Sequence, residues 1–250
     1  IFFLLQNYSK SEEFFFETGE VKILNEGKRL YSDQGVKVKT MEDIKITSDK
    51  FDYNKLNLKL ELEGNVIIYD SKNETEIRTN KIDYFKNLEK IKTFGNTKIF
   101  IKNNYEIKSE NITFLRNKKQ ILSDNKTHVI DKYNNSFISE NFLFFISKEI
   151  FKGKNVTFKD NLGNISKFEN FFVDLKNKKV FGKILKYFFT NSAFGNKKNE
   201  PRLYGNILES DSNKTQISKG IFTTCQKRDG CPPWTIKAKK ITHDKNKKII

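Results

Sequence analysis

The sequence is poor in the residues that carry most catalytic and metal chemistry. It holds 2 His, 2 Cys, 1 Trp and 1 Met in 250 residues. Two cysteines are too few for a disulfide-dense mini-protein or a four-cysteine zinc site. The histidines, His128 and His243, each stand alone, and no GxSxG, HExxH or P-loop motif occurs. We therefore expect no catalytic residue, no metal site, no cofactor and no enzymatic activity.

Proline, glycine and long apolar runs are also scarce. Three Pro and 12 Gly exclude a collagen-like or Pro/Gly-rich low-complexity chain. The opening apolar run, Ile1 to Leu5, is too short to span a membrane. Followed by a polar stretch with Ser9 and Ser11, it is typical of the end of a signal peptide. We expect residues 1–11 to be a signal-peptide remnant, with a buried first strand as the alternative.

The charge is strongly of one sign, and arginine contributes little to it. Lys and Arg number 47 against 31 Asp and Glu, which gives a net charge of +16. Arginine occurs only at positions 29, 78, 116, 202 and 228. Nucleic-acid sites favour arginine for bidentate contacts, so we expect no nucleic-acid partner. The lysines indicate either a solvated surface or an anionic partner such as lipid headgroups.

A short pattern recurs through the chain. A small hydroxyl residue, then an acid or Asn, then apolar or aromatic residues begins at Ser48, Thr79, Ser109 and Ser139, spaced 31, 30 and 30 residues apart. A second marker, a turn-forming pair that ends in Asn, runs in step with it at Gly64-Asn65, Gly95-Asn96, Asp124-Asn125 and Lys154-Asn155. Two markers that share one period indicate an internal repeat.

Within a repeat the apolar residues alternate with polar ones, as Leu56, Leu58, Leu60 and Leu62 do. This period predicts half-buried strands, two or three to a repeat, of about five to eight residues. One repeat cannot bury its apolar face alone, so neighbours must stack. The expected fold is all-β, an elongated jellyroll-like stack of antiparallel strands. The period weakens after Asp174, and we expect a β-repeat domain at 12–195 and a separate segment at 196–250.

The last segment carries both cysteines, Cys225 and Cys231, shortly before Trp234. Their spacing fits neither a zinc knuckle nor a CxxC redox motif. In an exported protein a structural disulfide is expected. The two could bond to each other around Gly230 or to cysteines beyond Ile250, or both could remain reduced.

These residues carry a resemblance. The repeat over 16–175 resembles the OstA-type domain of lipopolysaccharide transport proteins. The segment 203–244, with Cys225, Cys231 and Trp234, is similar to the region before the barrel in the LptD family of lipopolysaccharide-assembly outer-membrane proteins. In that family, cysteines of the N-terminal region pair with cysteines near the C-terminal end of the barrel, whereas here both cysteines sit late.

The resemblance implies a periplasmic β-jellyroll at the outer membrane of a Gram-negative cell, followed beyond Ile250 by a β-barrel. The domain would receive lipopolysaccharide from a periplasmic β-jellyroll bridge, joined by edge-strand addition, and pass it to the barrel. A lipoprotein that plugs the barrel would be a further partner. The alternatives are a soluble periplasmic lipopolysaccharide-binding bridge or chaperone of the same repeat type, and a structural β-solenoid.

A lipid conduit needs an apolar interior for acyl chains, because each buried methylene contributes about 0.8 kcal/mol. Inward positions of the alternating strands are the candidates, although each could equally be ordinary core. The expected acyl-contact residues are Leu58, Leu60, Leu62, Val66, Ile68, Ile99, Ile101, Ile112, Phe114 and Phe142.

Overall fold

The computed structural model describes residues 14–195, 198–227 and 232–247. Over these residues the protein is all-β, which confirms the expected fold class. It contains 21 strands and three single-turn 3-10 helices, at Ser71–Asn73, Lys86–Leu88 and Asn191–Phe194. In the same residues no helix has the length and apolar character needed to cross a membrane. The signal-peptide remnant expected at 1–11 lies outside the described residues.

The strands follow one another along the chain with short connections. The first ten are β1 (Phe15–Glu17), β2 (Lys22–Leu24), β3 (Arg29–Ser32), β4 (Val36–Lys39), β5 (Ile44–Ser48), β6 (Lys50–Asn54), β7 (Lys59–Asp70), β8 (Thr75–Phe85), β9 (Lys90–Phe94) and β10 (Asn96–Ile101). The others are β11 (Tyr105–Glu110), β12 (Thr113–Leu115), β13 (Gln120–Ser123), β14 (Thr127–Asp131), β15 (Ser136–Phe145), β16 (Ile150–Lys159), β17 (Ile165–Asp174), β18 (Lys179–Phe188), β19 (Arg202–Ser210), β20 (Lys214–Thr223) and β21 (Ile236–Asp244).

The antiparallel pairings form two layers that share their long strands. Sheet 1 runs β1-β4-β5-β7-β8-β10-β11-β14 and continues through β15 to β21. Sheet 2 runs β2-β3-β6-β7-β8-β9-β12-β13 and continues through the same strands. Each long strand gives one half to each sheet. The sheets face one another, and Tyr105 of sheet 1 packs edge-on against Phe144 of sheet 2, with ring centroids 5.7 Å apart.

The repeat markers lie where the chain bends from one sheet into the other. Gly64 and Asn65 have φ values of +81° and +47°, and Asn111, Asn141 and Asn155 have φ values of 50°, 49° and 49°. Glycine has no Cβ to clash there, and asparagine tolerates this left-handed region better than most residues. One 30-residue repeat is therefore one pass across both sheets and back. At these repeat markers the strand changes direction without ending. As a result β7 is 12 residues long and β8 is 11 residues long.

Three of the four small hydroxyl residues of the first marker, Ser48, Ser109 and Ser139, are buried beside these bends, and Thr79 is half-buried. Ser109 Oγ lies 3.0 Å from Ser123 Oγ and 2.8 Å from Thr127 Oγ1, and Thr97 Oγ1 donates to Thr93 Oγ1 over 2.7 Å. Hydroxyl side chains suit these positions because they can hydrogen-bond to one another where the backbone pairing between strands is interrupted.

The interior is closed in the first part of the sandwich and looser in the last. Leu60 and Leu62 are buried as the alternation predicts, whereas Leu56 is 74% exposed in the turn that precedes β7. Beyond β16, inward side chains such as Val173 and Val180 are only partly buried. The strands β18 and β19, on either side of the boundary predicted near residue 195, pair in register within the same sheet, and the division into two parts stays a prediction.

Candidate functional site

A cavity of about 440 Å³ lies between the two sheets in the looser half of the sandwich. It is partly open to solvent, and most of its lining is apolar. Its volume is in the range of small-molecule sites. The apolar lining is formed by Tyr105, Val129, Phe137, Phe151, Phe158, Phe168, Phe171, Val173, Leu175, Val180, Tyr187 and Leu208.

Aromatic rings form the wall between the cavity and the closed core. Phe151 stacks on Phe144 with centroids 4.1 Å apart, and Tyr105 meets Phe151 edge-on at 5.4 Å. Phe137 packs against Phe171 across the two sheets at 5.5 Å. Interlocked rings of this kind hold their positions, so we expect the wall to be rigid.

The rim of the cavity is polar because it lies at strand ends. Asp131 accepts hydrogen bonds from the backbone N–H of Asn135 at 2.9 Å and from its side-chain Nδ2 at 2.8 Å. On the opposite sheet, the Ser210 and Thr215 hydroxyls lie 2.8 Å apart. Burial, and then the nearby carboxylates of Glu149 and Asp131, raise the pKa of Tyr105 to about 12, so its ring keeps a neutral hydroxyl. An apolar interior with a polar rim suits an amphiphile.

In the closed half, the two sheets are joined along the same edge of the sandwich by a buried ion cluster (Asp70, Tyr84, Lys86, Glu89 and Arg116). Asp70 ends β7 in sheet 1, and Arg116 follows β12 in sheet 2. Arg116 Nε donates to Asp70 over 2.7 Å, and the Arg116 guanidinium also bonds Glu89. Lys86 pairs with Glu89 at 2.5 Å. The cluster therefore closes the side that is open at the cavity.

Burial opposes the charges of this cluster, and pairing between the charges compensates for that cost. Desolvation alone would lower the pKa of Arg116, but the hydrogen bond to Asp70 and the surrounding negative groups raise it. Burial raises the pKa of the Tyr84 hydroxyl, which donates to Glu89 at 3.2 Å. The arginine stays charged and the tyrosine stays neutral at physiological pH.

The residues predicted from sequence to touch acyl chains occupy the closed core. Nine of the ten are at most 2% exposed, and the tenth, Leu58, is partly buried in a turn at φ 52°. None of the ten is among the residues that line the cavity. Their contact with a lipid stays a prediction.

The cavity residues Val173, Val180 and Leu208 were not singled out from sequence. The sequence does hold a signal for a cavity in this region. Inward positions of the last strands carry small polar residues, Ser166 and Ser210, where earlier strands carry Ile or Leu.

The expected disulfide falls only partly on described residues. Cys225 is half-buried; its N–H donates to Thr223 Oγ1 at 3.2 Å, and its carbonyl accepts a hydrogen bond from Arg202. Cys231 lies outside the described residues, so the pairing stays a prediction. Among the described residues, no group of three or more His, Cys, Asp or Glu side chains is placed to hold a metal ion.

Comparison with known proteins gives a likeness to solved structures. No family model matches the chain, and no curated protein matches it. A solved structure, LptH from Pseudomonas aeruginosa, is similar at 15% identity with a TM-score of 0.41, over 45% of this chain and 82% of that one. LptH is described as the LptA-homologous periplasmic component of the lipopolysaccharide transport device.

Proposed function

We propose that this chain is a periplasmic conduit domain that shields the acyl chains of lipopolysaccharide from water during transport. The observation that carries the proposal is the partly open apolar cavity between the sheets. Acyl chains would enter the cavity, and the sugar-phosphate head would remain outside, at the polar rim formed by Asp131, Asn135, Ser210 and Thr215.

The energetics require no covalent chemistry. Each methylene removed from water contributes about 0.8 kcal/mol. Val173 and Val180 line the cavity from neighbouring strands, where they are Cα partners. Both side chains are already partly buried without a ligand. The site therefore offers preformed apolar surface, and the energy that drives directional transport comes from elsewhere.

The ends of the sandwich suit assembly into a longer conduit. Within the described residues, β21 pairs with β20 alone, and at the opposite end β1 and β2 pair only with β4 and β3. Such edges can accept a strand from a partner. A periplasmic β-jellyroll bridge would add to one of them.

The finer role rests on the sequence resemblance of residues 203–244. It supports a place at the periplasmic face of the outer membrane, where the domain would hand lipopolysaccharide to a barrel plugged by a lipoprotein. A soluble periplasmic bridge would use the same cavity without the barrel.

The test is in vivo photo-crosslinking with a photo-reactive amino acid at Val180 in the cavity. The matched control is Ile138, on the outer face of sheet 1, and a third position, Leu60, tests the sequence prediction in the closed core. We expect lipopolysaccharide capture at Val180 well above that at Ile138. Equal capture at the two positions, or none at Val180 in folded protein, would overturn the proposal.

A charge in the cavity provides the second arm of the test. Val180→Asp places a carboxylate against acyl chains, which is strongly unfavourable, and capture at a photo-reactive Val173 should drop at least tenfold. Lys186→Asp puts the same carboxylate on the exposed outer face of the same strand and should leave capture unchanged. Equal loss in both variants would show that the effect is not that of the cavity.

A further inference from the structure

The outer face of sheet 2 carries an apolar surface that points away from the cavity. This outer patch is formed by Leu122, Leu143, Phe145, Ile150, Phe172 and Phe181, all half-buried on β13 and β15 to β18.

Strand pairing makes the patch continuous. Leu122 and Leu143 are Cα partners, as are Phe172 and Phe181. Lys152, between Leu143 and Phe172 in the pairing, extends its Nζ to 5.5 Å from the ring of Phe145 and 5.6 Å from that of Phe172.

The strands of the patch are apolar on both faces. In β15, Phe142 and Phe144 point into the core at 2% and 0% exposure, while Leu143 and Phe145 point outward. Such a two-sided pattern is typical of strands covered on both sides. Within the part of the chain that the structure describes, these outward residues are half-buried among their neighbours on the sheet, with the Lys152 side chain over two of the rings. A contiguous, partly exposed apolar surface of this kind is a candidate interaction site.

Lysines border the patch, and two of them lie opposite a carboxylate in the strand register, since Lys154 is the Cα partner of Glu140 and Lys179 that of Asp174. Lys152, Lys154, Lys179 and Lys183 are exposed and form no salt bridge with any described residue. The earlier strands of the same sheet face differ, since Lys59 there pairs with Glu61 at 2.6 Å and with Asp83 at 3.0 Å. Exposed lysines that form no salt bridge, next to an apolar surface, complement a partner surface that carries negative charge.

We propose that the outer patch docks this domain on a bilayer leaflet that carries anionic headgroups. Leu and Phe side chains would enter the boundary between headgroups and acyl chains, and the lysines would contact lipid phosphates. On β18 the cavity residue Val180 and the patch residue Phe181 are adjacent and point to opposite faces. Docking would therefore leave the cavity free, so the inference stands apart from the conduit function.

The test is flotation of the purified chain with vesicles of phosphatidylcholine alone and of phosphatidylcholine mixed with phosphatidylglycerol. We expect binding to the anionic vesicles, weakened by salt. Phe172→Ser combined with Phe181→Ser should abolish most of it. The matched control is Ile165→Ser with Phe188→Ser, a Cα-paired apolar couple on the outer face of sheet 1 in the same two strands. The control should bind as the unmodified chain does.

A charge variant guards against misfolding of the serine variants. Lys152→Glu changes an exposed side chain and should weaken binding to anionic vesicles at least about fivefold, since each lysine near the surface contributes about that factor. Equal binding to both vesicle types, equal loss in the two serine pairs, or self-association that the patch variant abolishes would overturn the proposal. Val180→Asp should keep vesicle binding while losing lipopolysaccharide capture, which separates this failure from that of the conduit function.

Discussion

The buried ion cluster gives the sharpest test of why one half of the sandwich is closed. In Arg116→Met the guanidinium that joins the two sheets is replaced by an apolar side chain of similar length. Asp70, with a side chain 1% exposed, then loses the partner that lay 2.7 Å away. Removing one member of a buried ion pair leaves an uncompensated charge in a low-dielectric site.

The expected cost is near the lower end of the range for such a change. Breaking a buried pair typically costs about 3–5 kcal/mol. Asp70 also accepts bonds from the backbone N–H and the Nδ2 of Asn73, at 3.1 and 2.8 Å, which remain in the variant. We therefore expect a loss of about 3 kcal/mol in the free energy of unfolding. For a chain of this size that is a fall in Tm of roughly 6–12 °C.

Urea unfolding followed by circular dichroism measures this loss. The double variant Arg116→Met/Asp70→Asn removes both charges and should be less destabilised than the sum of the single variants by about 1–3 kcal/mol. Arg116→Lys keeps a charge but cannot reach Asp70 and Glu89 together. Its free energy of unfolding should lie between those of the unmodified chain and Arg116→Met. A loss below about 1 kcal/mol in Arg116→Met would refute the reasoning, because that is the worth of an exposed pair.

Three further predictions concern stability. In Gly182→Val the added Cβ would lie 2.3 Å from the Phe168 ring, so thermal unfolding should show a loss of about 1–3 kcal/mol from overpacking. Asn141 has a φ of 49°, so Asn141→Val should cost about 1–2 kcal/mol in urea unfolding, whereas Asn141→Gly should be nearly neutral. Burial, and then the charge of Lys108, lower the pKa of His128; the unfolded chain therefore holds its proton more tightly, and stability should fall as pH drops through the histidine range. His128→Gln should flatten that part of the Tm-against-pH curve, and an unchanged slope would contradict the assignment.

The fold class could be predicted because its signals are local. Alternation around Leu60 and Leu62 reports which face of a strand is buried, and the spacing of Ser109 and Ser139 reports the length of one pass across both sheets and back. Strand length was harder to predict. Markers such as Gly64-Asn65 resemble turns in sequence, but here they bend a strand whose hydrogen bonding continues on both sides.

The position of the cavity could not be predicted because it depends on residues far apart in sequence. The wall needs Tyr105 and Phe151 to meet from opposite sheets, and Asp70 and Arg116 close the other half across an interval of 46 residues. Alternation shows that each of these points inward, but it does not show what each one meets. The acyl-contact residues predicted from sequence therefore lie on the strands with the most regular alternation of apolar and polar residues. Those strands are also the ones whose side chains pack most completely.

The size of inward side chains explains why the sandwich opens where it does. In the closed half the inward positions away from the bends hold branched apolar residues such as Leu60 and Ile99, both 0% exposed. In the open half, corresponding positions hold Ser166, Ser210 and Thr215, which line the cavity. A hydroxyl side chain fills less volume than leucine, and near the bend the Phe168 ring packs so closely over Gly182 that a Cβ on residue 182 would lie 2.3 Å from it. The cavity therefore lies at the strand ends of this half, where no ion cluster among the described residues joins the two sheets.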